Sequence, residues 1–137
     1  MAQKVKSYVL DSWSIIAYLE DEPAGAKVAD LIADAHELSI PLLMTVVNAG
    51  EVWYILARQT SESEADRSIA ELNELGIEIR EADWKLARNA AQFKSKHKMS
   101  FADGFAAALA LQEKGSVLVT GDKEFQQVAH QVKILWL

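Results

Sequence analysis

The sequence predicts an α/β fold built on a mostly parallel sheet with right-handed crossovers. Three observations carry this. Short, strand-like apolar runs alternate from end to end with longer segments whose apolar residues recur at helical spacing. Two of those runs deliver an acid to their carboxyl ends, Asp11 and Asp122, which is how open α/β sheets build sites. The 137 residues, half of them apolar, hold no internal repeat or long linker, so one domain spanning 1–137 is expected.

The first strand is expected over residues 4–10, with Val9 and Leu10 buried. Residues 12–20 carry Trp13, Ile16 and Ala17 at helical spacing, with Asp11 as N-cap. Asp21-Glu22-Pro23 breaks this helix, and residues 24–36 restart it. Residues 38–44 read as a second strand, although Pro41 counts against a central position. Thr45 caps a helix over 46–58 that is apolar nearly all round and so is expected to be buried on more than one side, the second side being a candidate subunit interface. Glu51 is the one charge in its middle, on a face with Val47, Tyr54 and Ile55.

Residues 61–73 form an acidic amphipathic helix with Ala65, Ile69 and Leu72 as its core stripe, and Gly76 ends it. Residues 77–80 alternate apolar and charged, giving a short strand with one wet face. Asp83 caps a helix running to about residue 96, with Trp84, Ala87, Ala91 and Phe93 inward. Ser100 caps an alanine-rich helix over 101–114. Residues 116–119 are a buried strand, 123–129 a short helical stretch, and 132–137 a last strand.

Composition narrows the function. A net charge of −6 argues against broad electrostatic binding of nucleic acid. It leaves room for a nucleic-acid enzyme, because clustered carboxylates inflate the negative count and a bound cation reverses the local field. The lack of cysteine excludes disulfides and thiolate metal sites. No apolar run reaches the ~18 residues of a membrane span, and residues 1–6 carry no signal-peptide core, so a cytoplasmic protein is expected.

Four acids fall where one sheet edge can collect them. Asp11 and Asp122 follow parallel strands, Asp103 sits in the first turn of the helix leading to the Asp122 strand, and Glu51 lies in the second turn after strand two. Each has a structural explanation by itself. Asp11 and Asp122 suit N-caps, Asp103 completes something close to a capping box, and Glu51 has Arg58 as a possible partner. Their combination points further. Four ionised carboxylates repel until some take up protons or a cation binds. An all-oxygen donor set selects Mg2+ or Mn2+. Such an ion activates water and polarises a phosphoryl oxygen, which suits phosphodiester hydrolysis.

Four motifs occur in order: Val9-Leu10-Asp11-Ser12, Asn48-Ala49-Gly50-Glu51-Val52, Ser100-Phe101-Ala102-Asp103, and Thr120-Gly121-Asp122-Lys123-Glu124-Phe125. In these the chain resembles the PIN-domain nucleases, and within them the small VapC-type toxins of toxin–antitoxin pairs. The resemblance implies a PIN-like three-layer α/β/α domain with a central, mostly parallel sheet of four to five strands. It implies Asp11, Glu51, Asp103 and Asp122 as the catalytic and metal-binding set, supported through hydrogen bonds by Ser12 and Thr120. It further implies a Mg2+- or Mn2+-dependent endoribonuclease, a homodimer silenced by an antitoxin. Two positions depart from the family: Gly104 stands where a larger residue is common, and Trp13 is unusually bulky. Gly121 is expected to be the hinge that turns Asp122 toward Asp11.

The dense basic run, with Lys94, Lys96 and Lys98, reads either as solvated surface or as an RNA-binding rim near Asp103. The histidines suit structural roles better than general-base catalysis. A rival reading is a catalytically silent PIN-fold module that binds protein through the helix around Trp53. A phosphatase or receiver reading ranks third, because Trp13 stands where a second Asp belongs.

Overall fold

The computed structural model describes residues 4–137. Residues 1–3, where the reading of an absent signal segment begins, lie outside the described residues. Five strands form one sheet: β1 (Ser7–Leu10), β2 (Leu42–Thr45), β3 (Ile77–Arg80), β4 (Ser116–Thr120) and β5 (Ile134–Trp136). Their order is β3-β2-β1-β4-β5, and every pairing is parallel. Between them run α1 (Ser12–Leu19), α2 (Pro23–Leu38), α3 (Val46–Gln59), α4 (Glu62–Glu74), α5 (Trp84–Lys96) and α6 (Phe101–Gln112), with a short 3-10 helix at Lys123–Val128. No helix among the described residues is long and apolar enough to cross a membrane.

The strand pleat makes the three layers. Val9, Leu43 and Leu118 point to one face and pack with Leu86, Phe93 and Phe105 of α5 and α6. Their neighbours Leu10, Leu42, Met44 and Val119 point to the other face and pack with residues of α1 to α4, among them Ile15, Val28, Val52 and Leu72. Both faces are covered, which a parallel sheet requires. The chain lays β2 and β3 on one side of β1 and β4 and β5 on the other. The β1/β4 boundary is therefore a topological switch point, and a crevice opens at its carboxyl edge.

The expected caps at Thr45, Asp83 and Ser100 are present, each side chain accepting the backbone N–H three residues on. Ser61, expected inside its helix, is also a cap and accepts the Glu64 N–H.

Three local expectations are corrected. The second strand begins at Leu42 because α2 continues through Leu38. Pro41 precedes the strand and needs no N–H there, while its carbonyl accepts from Tyr8 at 2.9 Å, so β2 stays interior. In α5 the buried stripe is Leu86, Ala90 and Phe93, and Trp84 is 78% exposed. Leu86 and Phe93 carry the larger inward apolar volume on an i, i+4, i+7 stripe, which leaves Trp84 on the outside. In α3 the buried residues are Asn48, Ala49, Val52 and Leu56, with Val47, Trp53, Ile55 and Ala57 half-buried, and Tyr54 lies exposed under the Arg58 guanidinium.

Gly104 has a packing reason. A Cβ there would meet the Ala90 carbonyl oxygen at 2.7 Å, so α5 and α6 approach too closely for a larger residue.

Candidate metal-binding active site

The site is built from the ends of β1 and β4. Leu10 pairs with Val119, which brings Asp11 alongside Thr120. Asp11 caps α1: its Oδ1 accepts the Ser14 N–H at 2.8 Å. Its Oδ2 accepts the Thr120 hydroxyl at 2.5 Å. The Asp11 carboxyl is fully buried. Thr120 Oγ1 also accepts the Asp122 N–H at 3.0 Å, which turns the chain out of β4. Asp122 then caps the 3-10 helix by accepting the Glu124 N–H at 2.9 Å. Both strand-ending acids are thus caps, and each carboxylate retains lone pairs for a further partner.

Gly121 is not a hinge in the sense expected. Its backbone is outside the positive-φ region that only glycine favours; among the described glycines, Gly76 and Gly115 occupy that region. Space is the reason for glycine at 121. Cη2 of the Trp13 indole lies 2.3 Å from where a Gly121 Cβ would sit. The bulky residue on α1 and the bare backbone after β4 fit together.

Glu51 and Asp103 arrive by a second route, organised by Asn48. This side chain is fully buried. It accepts the Thr45 hydroxyl at 2.5 Å and donates to Ser12 Oγ and to the Ala102 carbonyl, each at 3.1 Å. One amide therefore ties the start of α3 to α1 and α6, one turn from Glu51 and one residue from Asp103. Asn48 belongs to the second motif, and the motif by itself assigns it no role. The available signal was a polar residue three after a cap, on an otherwise apolar helix.

Glu51, Asp103 and Asp122 line one cleft of about 350 Å3, with Ser12, Trp13 and Ser100 in its wall. Asp11 stands behind this wall. Carboxylate oxygens of Asp103, Asp122 and Glu124 lie within 4.8 Å of one another. Glu124 lies in the last motif, and its one signal in the sequence is its place two residues after Asp122.

The electrostatics record the crowding. Asp103 is pushed from 3.8 up to about 6, first by burial, then by the charges of Asp122 and Glu51, against the Ser100 hydrogen bond. Asp11 is pushed up to about 7 by burial, with a smaller contribution from Asp103, while its bonds to Thr120 and Ser14 pull the other way. Uncompensated negative charge with all-oxygen donors fits a hard divalent cation.

Lys94, Lys96 and Lys98 do not line this cleft. Lys94 donates to the Met99 carbonyl at 2.9 Å and so braces the turn between α5 and α6. Lys96 faces a separate groove with His97 and Leu111. The Lys98 backbone is pinned to Gln127 by reciprocal bonds of 3.0 and 2.9 Å. His36 bonds the Leu75 carbonyl at 2.6 Å, a structural role.

The sequence matches the family model of the PIN domain over residues 8–131. Similar solved structures include VapBC-1 from nontypeable Haemophilus influenzae, at 20% identity and a TM-score of 0.68, covering 94% of this chain and 96% of that one. Mycobacterium tuberculosis VapC20, a sarcin-ricin loop cleaving toxin, is 19% identical with a TM-score of 0.70, covering 89% and 95%. DNA-bound VapBC from Salmonella typhimurium is 14% identical with a TM-score of 0.74, covering 94% and 96%. A comparison with curated proteins gives no match.

Proposed function

The chain belongs to the PIN domain family, and on that premise we propose that it is a Mg2+- or Mn2+-dependent endoribonuclease, the toxin of a toxin–antitoxin pair. The observation that carries this reading is the convergence of Glu51, Asp103, Asp122 and Glu124 at the switch-point edge, with Asp11 buried behind them. Asp103, Asp122 and Glu124 offer the closest set of oxygens, and Asp11 and Glu51 add charge around it. A divalent cation bound there supplies Lewis acidity toward a phosphoryl oxygen and makes water a better nucleophile at neutral pH.

The chain's own residues do the rest. Thr120 holds Asp11 in place and favours its charged form, while Asn48 and Ser12 fix the separation of α1, α3 and α6. The half-buried position of Asp103 keeps its carboxylate out of bulk water, where its charge acts more strongly. The exposed basic turn at Lys94, Lys96 and Lys98 lies outside the cleft and suits contacts to RNA phosphates beyond the cut site. The sarcin-ricin loop cleaving toxin among the similar structures supports an RNA substrate, and the toxin–antitoxin proteins among them support an antitoxin partner. A single domain over 1–137, a homodimer and a cytoplasmic location complete the proposal.

The test is RNA cleavage and growth arrest with Mg2+ or Mn2+. Cleavage is expected to stop on chelation and in Asp11→Asn and Asp122→Asn. Wild-type cleavage that survives chelation, together with cleavage by both variants, sinks the mechanism.

A further inference from the structure

One large side chain in the cleft has no part in holding a cation. Trp13 lines the same wall as Glu51, Asp103 and Asp122 and keeps 38% of its surface exposed. It is held from behind. The Cζ2, Cζ3 and Cη2 atoms of its indole lie 2.3–2.8 Å from where a Gly121 Cβ would sit, so the ring edge rests on the bare backbone between Thr120 and Asp122. The ring therefore sits against the residue that directly precedes Asp122. Ile16 and Ile55 add apolar surface to the same cleft. A rigid indole, open on the cleft side and next to a candidate phosphate-cleaving centre, has the properties of a stacking surface. Every nucleobase offers a π-face, and a single strand can unstack a base where a duplex keeps it paired.

We propose that Trp13 stacks on a nucleobase of single-stranded RNA in the cleft and thereby sets the adjoining phosphate against the acidic cluster. This rests on the ribonuclease reading above. The occupant is a base rather than the sugar-phosphate backbone, because the carboxylates on either side repel phosphate until a cation is bound, whereas stacking needs no charge. The preference is sequence-tolerant, since stacking reads a ring and not its hydrogen-bonding edge.

The test measures the affinity of a fluorescein-labelled single-stranded RNA of about a dozen nucleotides by anisotropy, in Mg2+ and in an Asp122→Asn background that suppresses cleavage. Trp13→Ala and Trp13→Leu are expected to weaken binding about tenfold or more, while Trp13→Phe and Trp13→Tyr stay within about threefold. Affinity for a duplex of the same sequence is expected not to move. If Leu serves as well as Phe, the ring only fills the space over Gly121 and the proposal is overturned.

Intrinsic fluorescence guards against misfolded variants. With Trp53, Trp84 and Trp136 replaced by Phe, Trp13 is the sole tryptophan, and added RNA is expected to quench it. An unquenched signal with RNA bound overturns the proposal. Cleavage by the Asp122-intact chain separates the two claims. If that chain cleaves RNA and Trp13→Ala leaves KM unchanged, only the stacking role falls. If it neither binds nor cleaves RNA, the ribonuclease reading falls and takes the stacking role with it.

Discussion

Thr120 Oγ1 lies 2.5 Å from Asp11 Oδ2, joining two residues 109 positions apart across the β1/β4 switch point. The same hydroxyl oxygen receives the Asp122 N–H at 3.0 Å. One threonine thus fixes the acid that ends one strand and the turn that presents the acid after the other. It also opposes the burial that drives Asp11 toward its neutral form.

Thr120→Val keeps the shape and removes both bonds. It is expected to cost about 1–3 kcal/mol of stability, because a buried carboxyl loses a partner. Asp11 then titrates above about 7, since the bond that lowers its pKa is gone. Thr120→Ser is expected to behave as wild type. Thermal melts and the pH midpoint of Mg2+ binding check this, and an unshifted midpoint in Thr120→Val counts against the coupling.

The metal-free protein is expected to lose stability as pH rises from about 4 to 7. In that window folded Asp11, titrating near 7, keeps a proton that the unfolded chain has released at its ordinary 3.8. The unfolded state binds fewer protons, so the slope of unfolding free energy with pH is negative. Asp103, raised to about 6, adds in the same direction. The Asp11 contribution is on the order of 4 kcal/mol across the full window. Asp11→Asn is expected to flatten the profile and to stabilise the metal-free protein at neutral pH. Denaturant melts from pH 4 to 8 in a chelator measure it, and a stability that climbs through this window is the opposing result.

Asn48→Leu preserves volume but leaves the Thr45 and Ser12 hydroxyls and the Ala102 carbonyl without their amide partner. A loss of about 2–4 kcal/mol is expected from three side-chain bonds broken together. Mg2+ affinity is expected to fall as well, because Ala102 precedes Asp103. A variant that melts earlier but binds Mg2+ as wild type does would show that Asn48 holds the fold without aligning the acids.

Gly121→Ala and Gly104→Ala are expected to fail for different reasons. At 121 the new methyl meets the Trp13 ring, so the loss is expected to shrink in a Trp13→Ala background. At 104 it meets the Ala90 carbonyl oxygen, and no side-chain change relieves it. Each single change is expected to cost about 1–3 kcal/mol. Equal losses at 121 with and without Trp13 would separate the glycine from the indole.

What was legible in the sequence was local. Asp11, Thr45, Asp83 and Ser100 announce helix starts because a side-chain acceptor precedes a periodic apolar run, and the structure uses each as a cap. The parallel α/β order followed from alternating elements, and with it the edge on which the acids lie. What was not legible depends on contacts between distant segments. Trp84 and Leu86 are both apolar, and only the neighbours of α5 decide which faces inward. Gly121 owes its identity to a ring more than a hundred residues away, and the role of Asn48 appears only once α1, α3 and α6 converge. Glu124 joins the acids because it lies in the first turn of the 3-10 helix that Asp122 caps, where periodicity foresees no shared site.

The central claim is that the acids at the β1/β4 edge hold a divalent cation. Calorimetric titration of Mg2+ and Mn2+ at about pH 8, above the raised pKa values, tests it most directly. A saturable heat in the wild type that weakens at least tenfold in Asp103→Asn and in Asp122→Asn is the predicted result. No site-dependent heat in the wild type, or an undiminished one in both variants, contradicts it.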